Sequence, residues 1–195
     1  SGMMTQEEMD QLFKKAHDEM DHSIEHLINE LGKIRTGKAS PAMVSSILVP
    51  YYGSPTMLNQ VANVSTSDAR TITIQPWEKN MIGPIEKAIF EANLGITPMN
   101  NGEHIILTIP PLTEERRKDL VKQAKHLGEE AKISIRSIRH KLMDAIKKAV
   151  KDGYPEDMGK RRETEVQDMV NTYSRKADHA VEVKESALAA AEFGL

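Results

Sequence analysis

Cysteine is absent from this 195-residue chain, and that one absence excludes disulfides, thiolate metal sites and cysteine nucleophiles together. Aromatic residues are scarce too, at 4%. A sandwich or barrel built on aromatic layers is therefore not expected, and a helix-rich chain packed with Leu, Ile, Val, Ala and Met is. Long apolar runs are missing as well: none approaches the ~20 residues that a membrane-spanning helix needs. Ser1-Gly2 ahead of Met3-Met4 reads as a cloning scar, and no signal-peptide pattern follows it. These absences predict a soluble, cytoplasmic protein of one domain or two small ones, held together by packing alone.

The charge that is present is unevenly distributed. Residues 1–37 carry four Lys/Arg against eight Asp/Glu, and residues 38–111 four against five. Residues 112–162 carry fifteen against nine, and residues 163–195 three against seven. One basic segment thus lies between acidic ones, and whatever surplus is not compensated internally must face a partner.

Apolar periodicity predicts three long helices. Met9, Leu12/Phe13, Ala16, Met20, Ile24, Leu27, Leu31 and Ile34 recur at steps of three and four over 5–35, with a Thr5/Glu8 capping box at the start and Gly37 as the stop. Leu120, Ala124, Leu127, Ala131, Ile135, Ile138, Leu142, Ala145 and Ala149 mark a second helix over 113–151, capped by Thr113 and ended by Gly153 and Pro155. Val166, Val170, Tyr173, Ala177, Ala180 and Ala187 mark a third over 157–191. Such narrow stripes can be buried only against one another, which predicts a long three-helix bundle.

The middle of the chain differs in kind. Ser46–Tyr52, Thr71–Gln75 and Ile105–Ile109 read as strands, with turn chemistry at Gly53-Ser54-Pro55 and Asn100-Asn101-Gly102. Gly83–Asn93 reads as a short helix stopped by Gly95. The fold class expected is α+β and mostly helical: a bundle of residues 1–36 and 112–195, with a small α/β domain, 38–110, inserted between helices one and two. The chain crosses between them at Thr36-Gly37-Lys38 and at Pro110-Pro111-Leu112, which suggests a hinge.

Two motifs suggest enzymes. Gly32–Ser40 nearly spells a P-loop, but a helix precedes it, Pro41 follows, and Ala39 stands where the Mg²⁺-binding hydroxyl belongs. His22-Ser23-Ile24-Glu25-His26 matches H-x-x-E-H, in which two His would hold zinc and Glu would act as base. A zinc-dependent hydrolase using His22, Glu25 and His26 is carried as the alternative function, although Ile24 in the apolar stripe turns both His towards the bundle's edge.

The basic helix is more informative. Lys125, Lys132, Arg136 and Arg139 fall on one flank beside the apolar stripe, with His140 adjacent and few carboxylates among them. Arg35 and Lys38 could join it. Guanidinium groups at this spacing suit the phosphates of folded RNA. Aromatics do not interleave with them, so single-strand stacking is not expected. A solvated flank paired to the acidic third helix is the competing reading.

The stretches Ile34-Arg35-Thr36-Gly37-Lys38-Ala39-Ser40-Pro41, Tyr51-Tyr52-Gly53-Ser54-Pro55-Thr56, Pro110–Leu120 and Ile135–His140 together resemble the ribosome recycling factor family, over essentially the whole chain. The resemblance implies a two-domain, L-shaped molecule that binds the large ribosomal subunit and its ribosomal RNA after termination. With elongation factor G, it splits the post-termination complex. It implies a monomeric translation factor with no enzymatic activity, no cofactor and no membrane partner. The positions matching the family's RNA-contacting arginines are Arg35, Lys38, Arg136 and Arg139, with Lys132 on the same flank. Lys38 stands where many members have Arg, losing bidentate phosphate geometry. His140 stands where Arg is frequent, so the fixed positive charge of a guanidinium is missing there. Residues 187–195 match nothing in the family and are expected to be partly disordered.

Overall fold

The computed structural model describes residues 2–192. The chain folds as two compact units: Lys118–Ala187 with the residues up to Ile34, and Arg35–Arg117 with the residues from Leu188 on.

The first unit is a three-helix bundle. Helix α1 (Gln6–Gly32) opens with the expected capping box: Thr5 Oγ1 accepts from Glu8 N–H at 3.1 Å, and Thr5 N–H donates to the Glu8 carboxylate at 3.3 Å. The helix stops at Gly32, well before Gly37, because Lys33 and Ile34 N–H tighten the last turn onto Glu30 and Leu31 carbonyls. Helix α3 (Glu114–Lys151), so numbered because a short helix precedes it in the second unit, has its first turn held by Thr113 Oγ1, which accepts from Arg116 N–H at 3.0 Å. It ends at Lys151, just before Gly153 with φ +111°, and Pro155 precedes α4 (Glu156–Glu192). The helix thus runs through 187–192, and what was expected of the last three residues lies outside the described ones.

Polar pairs between α1 and the α3–α4 region keep a nearly constant sequence offset, from Gln6–Tyr154 through His17–Tyr173 to Ile34–Lys184, so α1 and α4 run parallel. Helix α3 packs against both and runs in the opposite direction, Lys132 meeting Asp178 and Val150 approaching Gly159.

The buried stripe of α1 is the one the periodicity marks. On α3 and α4 four positions move by one residue: Gly128, Ile146, Val181 and Leu188 are buried where Leu127, Ala145, Ala180 and Ala187 were expected. Three of these shifts bury a larger side chain than the alanine beside it, which removes more apolar area from water. The fourth has a steric origin. A Cβ at Gly128 would fall 2.6 Å from Val181 Cγ2, so glycine lets α3 and α4 approach closely there.

In the second unit, β1 (Leu48–Tyr51) and β2 (Ser54–Met57) form an antiparallel hairpin. Tyr52 and Gly53 at its tip both have positive φ, 47° and 83°, the two-residue turn that matches strand twist. The turn lies one residue earlier than expected, and Ser54-Pro55 belongs to β2. Strand β3 (Ala62–Asp68) is not visible in the sequence, since Asn63, Ser65, Thr66 and Ser67 give it no apolar alternation. It pairs with β4 (Thr71–Pro76) in an antiparallel four-stranded sheet of order β3-β4-β6-β5, completed by β5 (Met99–Asn100) and β6 (Ile105–Thr108). Helix α2 (Ile82–Glu91) contributes Ile85 and Ile89 to the same core as Ile72, Ile74, Ile105 and Leu107 from the sheet.

Candidate nucleic-acid interface

Arg136 and Arg139 are on one flank of α3, beside the buried positions Ile135 and Ile138. Arg136 is exposed and Arg139 half-exposed. Neither has an ion pair or side-chain hydrogen bond to another described residue. Two guanidinium groups three residues apart repel each other, an arrangement that solvent tolerates and bound phosphates would relieve.

Lys132, one turn earlier, is different. Its Nζ lies 2.9 Å from Asp178 Oδ1 on α4 and 3.2 Å from Glu129 Oε1 on its own helix, with only 24% of the side chain exposed. The Asp178 hydrogen bond, followed by that of Glu129, raises its pKa above the usual lysine value. The flank is therefore not poor in carboxylates along its whole length. Pairing with the acidic third helix is realised at Lys132 and not at Arg136 or Arg139. Asp178 is the residue that sequence reasoning missed, because only the α3–α4 register brings it opposite Lys132. Arg35 and Lys38 are exposed residues of the second unit, again without an ion pair among the described residues. Gly37 between them has φ +79°, and a Cβ there would fall 3.0 Å from Leu112 Cγ, so the two chain crossings pack on each other.

Arg162, by contrast, is built into the bundle. Its guanidinium lies 2.6 Å from Asp10, 3.2 Å from Glu165 and 3.4 Å from the Tyr154 hydroxyl, and 5.1 Å from the centroid of the Phe13 ring. The hydrogen bond with Tyr154, more than any other partner, pushes its pKa up. A guanidinium so engaged ties the start of α1 to the α3–α4 turn.

The enzyme motifs dissolve in three dimensions. Gly32–Ser40 runs from the end of α1 into a 3₁₀ turn at Pro41–Met43 and is not the strand–loop–helix that cradles phosphate. His22, Glu25 and His26 are all exposed. The two His line a groove of about 400 Å³ between α1 and α3, and Glu25 lies outside it. Among the described residues, no three His, Cys, Asp or Glu side chains converge as metal ligands. No helix among them is long and apolar enough to cross a membrane.

Comparison with known proteins accounts for this architecture. The family model described as "Ribosome recycling factor" matches residues 27–188. The ribosome-recycling factor of Flavobacterium johnsoniae is 53% identical over 180 residues, 92% of this chain and 96% of that protein. That of Porphyromonas gingivalis is 50% identical, covering 91% and 96%. A solution structure of a ribosome recycling factor superposes with a TM-score of 0.72 at 34% identity, covering 96% of this chain and all of the other. The Thermus thermophilus factor, in a structure with Escherichia coli elongation factor G bound to the E. coli post-termination complex, matches at 40% identity and a TM-score of 0.58, covering 92% and 98%. A family match spanning both folded units, with relatives alike from end to end, makes this chain a member of the ribosome recycling factor family.

Proposed function

We infer that this chain is a translation factor that binds the large ribosomal subunit after termination and, with elongation factor G, takes the post-termination complex apart so that the ribosome can be used again. The observation that carries this reading is the likeness over nearly the whole length of the relatives, through bundle and inserted unit alike. The protein is not an enzyme. Any nucleotide hydrolysis belongs to the elongation factor, and this chain transmits force to the ribosome. Nothing in the described residues favours the zinc hydrolase.

The bundle's arginine face supplies the contacts to ribosomal RNA. Arg136 and Arg139 meet phosphates directly, and Arg35 and Lys38 extend the basic surface from the second unit. Lys132 contributes less than its charge suggests, since it must first exchange Asp178 and Glu129 for phosphate. The crossings Thr36-Gly37-Lys38 and Pro110-Pro111-Leu112 act as the joint about which the inserted domain, 38–110, turns against the bundle of 1–36 and 112–195. The protein works as a monomer in the cytoplasm.

Sedimentation with purified large subunits at two salt concentrations, followed by light scattering of post-termination complexes with elongation factor G and GTP, tests this directly. Co-sedimentation that weakens as salt rises, with factor-dependent splitting, is the expected result. Absence of binding at both salts would overturn it.

A further inference from the structure

The bundle carries a second surface that the arginine face does not explain. Between α1 and α4 lies an open groove of about 620 Å³. Its floor and walls are aliphatic, from Ile24, Ile28 and Leu31 on α1 and Ala180 and Val183 on α4. Ile28 and Val183 are 54% and 55% exposed, so two large apolar side chains converge in water on one surface. Single exposed aliphatics are ordinary, but a shared groove of them marks a docking site.

The rim has one sign of charge. Lys176, Lys184 and the His179 imidazole line the groove, and no carboxylate does. This runs against the local composition, since residues 163–195 hold seven Asp/Glu and only three Lys/Arg, two of which are at this rim. Lys176 Nζ lies 4.9 Å from the centroid of the Tyr173 ring, and Lys184 Nζ donates to the Ile34 carbonyl at 3.3 Å. Neither forms an ion pair with a described residue. Asp178, by contrast, is turned to α3 and held by Lys132. Helix α4 thus turns the Asp178 carboxylate to the α3 side and places Lys176 and Lys184 beside the aliphatic groove.

We propose that the α1–α4 groove docks an acidic amphipathic helix of a protein partner, its apolar residues seated between Ile28 and Val183 and its carboxylates against Lys176 and Lys184. The stretch of α1 from Ile24 to Gly32 spans roughly 12 Å at 1.5 Å per residue, enough to seat apolar anchors at i, i+3 or i+4, and i+7. Two parallel helices present the kind of surface furrow into which a third packs its ridges. RNA fits less well, because the floor and walls are aliphatic and the lining contains no arginine and no Phe, Tyr or Trp for a base to stack on.

The test uses the full-length protein and a labelled synthetic peptide of about fourteen residues, with leucines at helical spacing and glutamates on the flanks. Amide shifts on titration should be confined to the groove. Ile28→Ser should weaken binding about tenfold, a loss of one anchor. Lys176→Gln with Lys184→Gln should weaken it several-fold and flatten its salt dependence. Both variants should sediment with ribosomes as the parent does, which keeps this proposal separate from the ribosome reading. Equal binding of a lysine-flanked peptide would overturn the charge assignment. Shifts centred on Arg136 and Arg139, tighter binding to anionic lipid vesicles than to the peptide, or a concentration-dependent dimer lost in Ile28→Ser would overturn the proposal itself.

Discussion

Arg139 has no carboxylate to release, and that determines what its removal does. Arg139→Ala should leave folding within roughly 0.5 kcal/mol, as for ordinary surface changes. Affinity for ribosomes should fall about ten- to a hundredfold, the range of roughly 1.5–3 kcal/mol for hydrogen bonds to charged groups. The slope of log affinity against log salt should shrink by somewhat under one unit, because one fewer phosphate is neutralised. Lys132→Ala should change that slope less, since its charge is already shared with Asp178 and Glu129. Arg175→Ala, on the exposed side of α4, is the control and should change neither quantity. Normal ribosome binding by Arg139→Ala would remove it from the interface. Tyr173 gives a second test at this scale. Burial, reinforced by a hydrogen bond donated to Asp21, pushes its pKa up to about 12 from an ordinary value of 10.0. A raised folded-state pKa means stability that is complete below pH 10 and lost as pH climbs through about 12. At ~1.4 kcal/mol per unit the loss reaches at most about 2.7 kcal/mol. Lys132 titrates on the same alkaline side, so the comparison is with the parent: urea unfolding of Tyr173→Phe across this window should show the shallower decline. Parallel curves would show that the phenol contributes nothing.

Among the elements, the close approach of α3 and α4 at Gly128 is the most exacting contact. Alanine is the better helix former by about 1 kcal/mol. Its Cβ, however, would meet Val181 Cγ2 at 2.6 Å, and a β-branched side chain cannot swing away. Gly128→Ala should therefore destabilise by about 1–3 kcal/mol, as overpacking does. Combination with Val181→Ala should restore part of the loss, and a thermal melt of the four proteins in the cycle reads the coupling. A Gly128→Ala variant more stable than the parent would mean that the helices are free to part. The same contact shows where sequence reading stops. Helix α1 was legible almost residue by residue, because its stripe and its Thr5/Glu8 cap are local signals. Leu127 looked like core and Gly128 did not, since the reason for glycine lies on another helix. Strand β3 was invisible for a similar reason: its pairing with β4 is written in backbone hydrogen bonds, and its side chains are mostly polar. At the candidate interface, the helical spacing of Arg136 and Arg139 was open to reading. Pairing with the acidic third helix was open to reading as well, but not that it would fall on Lys132 rather than on Arg136 or Arg139, because that depends on a residue 46 positions away.

For the whole molecule, the proposed joint is the testable element. Gly37 and Leu112 pack together, and both crossings fall within the Arg35–Arg117 portion of the second unit. A disulfide between cysteines placed at Thr36 and Leu112 should preserve ribosome binding and impair splitting. Unchanged splitting by the oxidised protein would move the pivot outside the crossings, towards Ile34/Arg35 and Arg117/Lys118. The parallel pairing of α1 with α4 has a consequence of a different kind. Its partners are about 150 residues apart in sequence, as at Ile34 and Lys184, whereas every strand pair of the second unit closes within residues 48–108. During synthesis the smaller unit can fold on its own contacts while α4 is still to be made, and the apolar stripe of α1 waits uncovered. Helix α3 emerges before its companion, so the arginine face is held by a finished bundle only when α4 arrives. On the proposed assignment of the arginine face, a nascent chain acquires its grip on ribosomes only once α4 has been made.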